Sequence, residues 1–402
     1  MACLIKAPAN GAKGVVTLTT PERDRLVFEF ADVRNRVNAL KSKYLVGLHH
    51  NWHDYTLNYD DLFDFHLAGE EDLREVNGKN IPLISMDACN FSPDFFQPGA
   101  EIEKFWDVLF VARAVEFKGI PEFFSAIRRL YDEKKFIRVM FVCPVPPDSG
   151  PGSLRNIRNL YDAMFFGVEQ EIFTLLTIEF RYPFPLDLPT LSRFYRASRI
   201  FVHSAPDERR CRVAAYAWAS GMPVVGMAPV GSVLKKSMRH SPYFFEITSY
   251  DEFPEQILLA LEAATKGFDF SPLQAEVATA KSVERFELLI SDTFTKAGLL
   301  APSSGGWLNG LDIRLGRHHG LSAGVNRVEQ DIAGFLDYLN SATDADMQEL
   351  NKCIDPELEI ANIVAYAPRF IRKVPMREVL QSMAMNFMRA LVKIVRRFFP
   401  KK

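Results

Sequence analysis

An α/β fold built on a doubly wound parallel sheet is what this sequence predicts, and three observations carry the prediction. From about Asp107 onward, apolar runs of strand length alternate with segments of helical periodicity, the pattern of parallel β-α-β units. The chain is 402 residues long and 48% hydrophobic, enough for two or three cores, so two domains plus an extension are expected. APSSGG, residues 301–306, is a linker by composition and sets the C-terminal segment apart.

Taken in order, VVTLTT, RLVFEFAD, KYLVGLHH and FDFHLAG read as four short strands with little helix between them. DVLFVAR is nearly continuous in apolar residues, which suits a parallel strand buried on both faces. GIPEFFSAIRRLYDEKK places Phe123, Phe124, Ile127, Leu130 and Tyr131 on one helical face, with Pro121 near the first turn. IRVMFVC is the next strand, PVPPDSGPGS a loop and NIRNLYDAMFFGVEQ a helix. FTLLTIEF, LPTLSRFYRAS and RIFVH repeat strand, helix, strand. PVVGM and YFFEI are further strands, YDEFPEQILLALEAA is a closing helix, and the unit ends near Ala297. Beyond the linker, VNRVEQDIAGFLDYLNSA and PMREVLQSMAMNFMRALVKIVRRFF are expected helices.

Composition narrows the function classes. A formal net charge of −2 gives no global attraction to nucleic acid, which is not an expected partner. Cys3, Cys89, Cys143, Cys211 and Cys353 are scattered, with no C-x-x-C pair and no metal-ligand spacing. That usage suggests a reducing, cytoplasmic compartment. MACLIKAPANGAKG lacks the apolar core of a signal peptide, and no run has the ~18–20 apolar residues of a spanning helix. From Arg369 to Lys402, Glu378 is the single acid among many Lys and Arg. Leu380, Met383, Phe387, Leu391, Ile394 and Phe398 recur there at three and four residues. A basic amphipathic helix over 376–399 is expected to contact an anionic membrane surface peripherally, on its inner face, or else to pack on the first lobe.

The chemistry concentrates in Phe201 to Val225, FVHSAPDERRCRVAAYAWASGMPVV: a buried strand, an acidic turn, a small-residue helix, then a second strand. Glu208, Ala217, Ala219, Gly221, Pro223, Val224 and Val225 stand where a known pattern has Glu, Ala-x-Ala-x-Gly-x-Pro-Val-Val. Earlier, FVARAVEFKG sets Arg113 and Lys118 on the turn after a strand, the spacing of Gly-Arg-x-x-x-x-Lys-Gly with Ala112 in place of Gly. Together these motifs resemble the donor lobe of the retaining, nucleotide-sugar-dependent glycosyltransferases that include glycogen and sucrose synthases. The likeness covers roughly residues 100–298.

The resemblance implies two Rossmann-like lobes of GT-B type. Residues 1–98 would be a reduced acceptor-side lobe, 99–298 the donor-binding lobe, and 299–402 a helical extension. It implies a glycosyltransferase that moves a sugar from a nucleotide-diphosphate donor to a glycan or glycolipid acceptor with retention. No cofactor and no metal are expected. Arg113 and Lys118 would stabilise the leaving diphosphate, a task two fixed cations can do without a metal, although each is also an ordinary solvated turn residue. Glu208 would accept hydroxyl hydrogen bonds from the donor sugar, or simply cap the following helix. His49 would face the sugar from the other lobe, with His50 as the alternative. The spacing of His49, His50, His53 and Asp54 also resembles a metal set, but no second ligand cluster accompanies it.

Departures from the family pattern bear on activity. Tyr216 takes the place of the Glu that holds ribose hydroxyls, and a single hydroxyl matches that pair poorly; it is equally a core aromatic. Arg209, Arg210 and Cys211 replace Gly-Phe-Gly. The arginines could reach a phosphate or an anionic sugar, or lie exposed on a first turn. Gly231 sits at the family's Gly-rich turn, where it could admit the donor or just make the turn. Base contacts are expected around Phe180 to Phe184. A non-catalytic scaffold is the alternative reading, and a nucleotide-sugar epimerase a more distant one.

Overall fold

The computed structural model describes residues 3–8, 11–27, 30–50, 62–68, 75–76, 79–80, 83–85, 88–98, 102–145, 150–179, 188–302, 306–308, 311, 315, 328–330, 332–341, 343, 345 and 371–373. The fold is mixed α/β with two Rossmann-like sheets. The first contains β1 (Cys3–Lys6), β2 (Gly14–Thr19), β3 (Tyr44–His49) and β4 (Phe65–Ala68). A two-residue pairing of β5 (Glu75–Val76) with β6 (Lys79–Asn80) precedes its last strand, β7 (Leu83–Ser85). The order is β1-β2-β3-β4-β7, with β1 antiparallel at the edge and the others parallel.

β2 and β3 are buried along their whole length, so both faces of the sheet are covered. Alternation decides which residue goes where. Val16, Leu18, Val46 and Leu48 meet Val33, Val37 and Leu40 of a helix over Ala31–Leu40. Val15, Leu45, Phe65 and Leu67 point the other way, onto Phe286, Leu289, Ile290 and Phe294. Each such side chain contributes about 1.5–3 kcal/mol on burial.

The first lobe corrects one expectation. The described part of RLVFEFAD is not a strand: Thr19 and Glu22 form a capping box, Arg23–Val27 is a π-helical turn, and Phe30 precedes the Ala31–Leu40 helix. The spacing of Val33, Val37 and Leu40 gives that helix an apolar stripe, which outweighs the β propensity just before it.

The second sheet contains β8 (Trp106–Val111), β9 (Val139–Val145), β10 (Phe173–Glu179), β11 (Ser198–His203), β12 (Val224–Met227) and β13 (Phe244–Ile247). All six are parallel, in the order β10-β9-β8-β11-β12-β13. Chain order therefore reverses between β8 and β11, the switch point at whose carboxyl ends open α/β sheets bind ligands. Phe123, Phe124, Ile127, Leu130 and Tyr131 of the Ile120–Asp132 helix are all buried on one face. The opposite face is packed by the helices Leu188–Arg196, Arg212–Ala219 and Ser271–Val277. The helix expected from Asn156 starts earlier, at Gly150, and stops at Met164; Gly167, at φ 54, restarts it as Val168–Ile172.

Packing does not respect a cut between residues 98 and 99. Cys89 and Phe96 pack into the second lobe, while the helix Thr279–Lys296 lays its later half on the first sheet. After the linker, Trp307, Leu311 and Leu315 join that first core. Val328–Gln330 is a strand paired with Ile371–Lys373 rather than the start of a helix, which runs over Ile332–Ser341. Its Leu336 and Leu339 cover the Ala31–Leu40 side, and Tyr44 Oη donates to the Leu339 carbonyl at 2.5 Å. The basic helix expected over 376–399, His53 with Asp54, and the base-reading turn near Phe180 to Phe184 lie outside the described residues. No helix among the described residues is long and apolar enough to cross a membrane.

Candidate active site

The carboxyl ends of β8 and β11 gather the motif residues. After β8 the chain makes a tight turn, with Glu116–Lys118 as one 3-10 turn, and enters the Ile120–Asp132 helix through Gly119 at φ 60. A side chain at 119 would meet the Ser204 carbonyl oxygen at 2.5 Å, so glycine here brings the turn against the end of β11. Ser204 Oγ donates to the Lys118 carbonyl at 2.7 Å, and Tyr250 Oη donates to the Ser204 carbonyl at 3.0 Å. Lys118 is thereby fixed from its backbone outward.

Its ammonium, almost wholly buried, forms an ion pair with Oε2 of Glu208, which is itself little exposed. The same oxygen lies 2.5 Å from His203 Nε2, at the last position of β11. Burial pushes the Glu208 carboxyl up, but the His203 and Lys118 contacts outweigh it and hold the group below the usual carboxylate range. Burial also drives the His203 pKa down, so its imidazole is neutral at neutral pH. Its Nδ1 is buried with no hydrogen-bond partner among the described residues, a defect that costs about 1–3 kcal/mol. Breaking the Lys118–Glu208 pair would strand a buried charge, at about 3–5 kcal/mol.

Arg113 stands apart. It is exposed on the same strand end and makes no side-chain hydrogen bond or ion pair among the described residues, leaving its fork available to an anion. Phe117, 41% exposed, lies under the Lys118 ammonium at 4.9 Å and forms part of the rim.

The other expected contacts are used differently. Arg210 is buried at φ 51, a left-handed conformation that costs a non-glycine residue about 1–2 kcal/mol. Its Nη2 donates to Asn90 Oδ1 at 2.5 Å and its Nη1 to the Ser232 carbonyl at 3.1 Å, while its backbone N–H reaches Ser232 Oγ at 2.8 Å. The guanidinium therefore ties the Glu208 loop to the inter-lobe connection, so a phosphate would have to compete for it. Arg209 is half-buried beside it. Tyr216 is a core residue: its ring stacks on Phe96 at 4.0 Å and 13° and meets Tyr195 edge-on. The ribose contact expected of it does not fit that packing. Gly231 is buried, and a Cβ there would meet the Phe244 ring at 2.9 Å. Packing against Phe244 accounts for this glycine.

His49 ends β3 and is wholly buried. Burial lowers its pKa to about 3, and the charges of Arg212 and Arg210 from the other lobe add to that shift. It is a neutral imidazole at the junction of the lobes. His50 Nε2 and His66 Nδ1 sit 2.8 Å apart, so His50 is engaged with a neighbour in its own sheet.

Two residues at the centre have no role assigned to them by a reading of the sequence. His203 is one; a histidine ending a buried strand five residues before Glu208 is the available signal. Cys211 is the other. Burial raises its thiol pKa well above the ordinary value, so it is a neutral thiol at the start of the Arg212–Ala219 helix. His203, Glu208 and Cys211 hold nitrogen, oxygen and sulfur within 4.8 Å of one another, the one potential metal-ligand group among the described residues. The Lys118 ammonium already supplies a positive charge to that carboxylate.

No protein-family model and no curated protein matches the chain. Among solved structures, the chain is similar to the GtfA/B complex, with a TM-score of 0.45 and 14% identity over 64% of this chain and 54% of that one. It is similar to TarM, with a TM-score of 0.46 and 12% identity over 68% and 54%. A glycosyltransferase from Rickettsia africae is similar at a TM-score of 0.43 and 10% identity over 65% and 81%. The chain thus spans about half the length of the GtfA/B and TarM chains it resembles in fold.

Proposed function

We propose that this protein transfers a sugar from a nucleotide-diphosphate donor to a glycan or glycolipid acceptor, with retention and without a metal. The observation that carries the reading is the convergence of Arg113, Lys118 and Glu208 at the carboxyl ends of β8 and β11, where the sheet order reverses. Ligands bind open α/β sheets at that point. Arg113, exposed and unengaged, meets the diphosphate first. Lys118 follows, exchanging part of its hold on Glu208 for a phosphate oxygen. As the sugar–phosphate bond breaks, charge grows on the leaving diphosphate, and two cations held before the reaction stabilise it most. Glu208, kept ionised, accepts hydroxyl hydrogen bonds of the donor sugar. His49 faces the reaction from the first lobe as a neutral group. The acceptor attacks from the face the nucleotide leaves, and the departing phosphate takes its proton. A cytoplasmic site of action, with membrane contact through 376–399, completes the reading.

A second reading has specific support. With Tyr216 in the core and Arg210 committed to Asn90 and Ser232, two residues expected to hold a nucleotide are engaged elsewhere. A non-catalytic scaffold would tolerate both. Calorimetric titration with UDP, GDP, ADP and CMP, without metal, separates the readings. Tight binding of one nucleotide that Arg113→Ala/Lys118→Ala abolishes supports the transferase. No binding of any of the four removes the donor chemistry and favours the scaffold.

A further inference from the structure

We propose that His203 is a positioning residue for the donor sugar: its Nε2–H, together with the Lys118 ammonium, ties down Oε2 of Glu208 so that Oε1 is presented to a sugar hydroxyl. The inference rests on the donor reading above and adds to it a residue and a division of labour within one carboxylate.

The tautomer follows from the contacts. His203 is wholly buried, and its Nε2 sits 2.5 Å from Oε2 of Glu208. A neutral imidazole with its proton on Nδ1 would set two lone pairs against each other at that separation, and would bury an N–H with no acceptor. The proton therefore lies on Nε2, and Nδ1 is the unpartnered atom. Ring orientation is fixed by packing. The imidazole lies nearly parallel to Phe201, 14° apart with centroids at 6.2 Å, and Phe110 is tilted over it at 6.4 Å.

Lys118, on the turn after the neighbouring parallel strand β8, bonds the same carboxylate oxygen. Both donors use Oε2, and no hydrogen bond to Oε1 is made among the described residues. A carboxylate has lone pairs on both oxygens, so the spare acceptor is Oε1, on a group whose rotation is blocked twice. A purely structural role explains this poorly. An apolar residue at 203 would pack between the same rings without leaving a buried nitrogen unpartnered.

The test compares nucleotide with sugar nucleotide. The full chain, with His203 intact, changed to Phe or changed to Gln, is titrated with UDP and UDP-glucose, GDP and GDP-mannose, and ADP and ADP-glucose. Phe keeps the ring and removes the donor, whereas Gln returns an N–H to the Nε2 position. For the base that binds, His203→Phe is expected to weaken the sugar nucleotide about tenfold while leaving the bare nucleotide within about twofold. His203→Gln is expected to recover most of the loss. Equal weakening of both ligands, or no change in either, overturns the positioning role. Failure of the intact chain to bind any pair overturns the donor reading itself, and the positioning role with it. Should His203→Phe not fold, 15N NMR of the imidazole decides the clamp without it. The Nε2–H tautomer, perturbed by Glu208→Gln, is expected; an Nδ1–H tautomer overturns it.

Discussion

The two sheets finish their strands in opposite chemical styles. In the second lobe, the carboxyl ends of β8 and β11 carry charge: Arg113 exposed, and Lys118 paired with Glu208 below the surface. In the first lobe, buried imidazoles take that place: His49 ends β3, and His66 lies on the neighbouring β4. A buried charge persists when it is paired; a buried imidazole avoids that cost by shedding its proton. One lobe thus ends its strands in paired and exposed charge, and the other in imidazoles packed out of solvent. On the proposed reading, the charged side is the one that meets the donor diphosphate.

Breaking the charged side should have the largest effect. Lys118→Met leaves Glu208 without its ammonium and is expected to lower unfolding free energy by about 3–5 kcal/mol in urea titration. Adding Glu208→Leu should recover much of that loss, and a loss that merely adds would mean the pair is not coupled. Next comes ligand affinity. Arg113→Ala, which leaves the buried pair intact, should weaken nucleotide-diphosphate binding about tenfold or more by calorimetry, with no change in melting temperature.

The neutral side is tested by acid. His49 and His66 each have a pKa of about 3 against an ordinary 6.5. Between those values the unfolded chain binds more protons than the folded one. Stability should therefore be full above pH 6.5 and fall steadily as pH drops toward 3, by roughly 1 kcal/mol per histidine per pH unit. Urea titrations at pH 7.0 and 5.5 would register the difference, and His49→Gln/His66→Gln should flatten the slope. The smallest effect sharpens the boundary of the charged site. Tyr216→Phe should leave nucleotide affinity within about twofold, because the ring stacks on Phe96 in the core; a tenfold drop would return Tyr216 to the ribose.

The alternation of the second lobe is legible in the sequence because each strand is a short apolar run and each helix shows one stripe. Arg113, Lys118 and Glu208 are legible because spacing along a β-α unit fixes which side chains reach a strand end. Lys118 and Glu208 do meet. The hidden features depend on long-range partners. Nothing local distinguishes Arg210 as a tie to Asn90 and Ser232 from Arg210 as an anion clamp. Tyr216 is assigned to the core by Phe96, which stacks on it from the connection between lobes. His203 is easily passed over because a histidine ending an apolar strand looks like filler until Glu208 folds back onto it. In the first lobe, RLVFEFAD misleads because its two ends belong to two separate helical segments.

The helix Thr279–Lys296 begins at the inter-lobe connection, where Thr279 Oγ1 donates to the Ser92 carbonyl, and ends in the core of the first lobe. A protein cut after residue 98 would lose Phe286, Leu289, Ile290 and Phe294, baring Val15, Leu45, Phe65 and Leu67 across one whole face of its sheet. The first lobe is contiguous neither in sequence nor in time. During synthesis its strands leave the ribosome long before the helix that seals them, so its exposed face must wait for nearly the entire second lobe to be made.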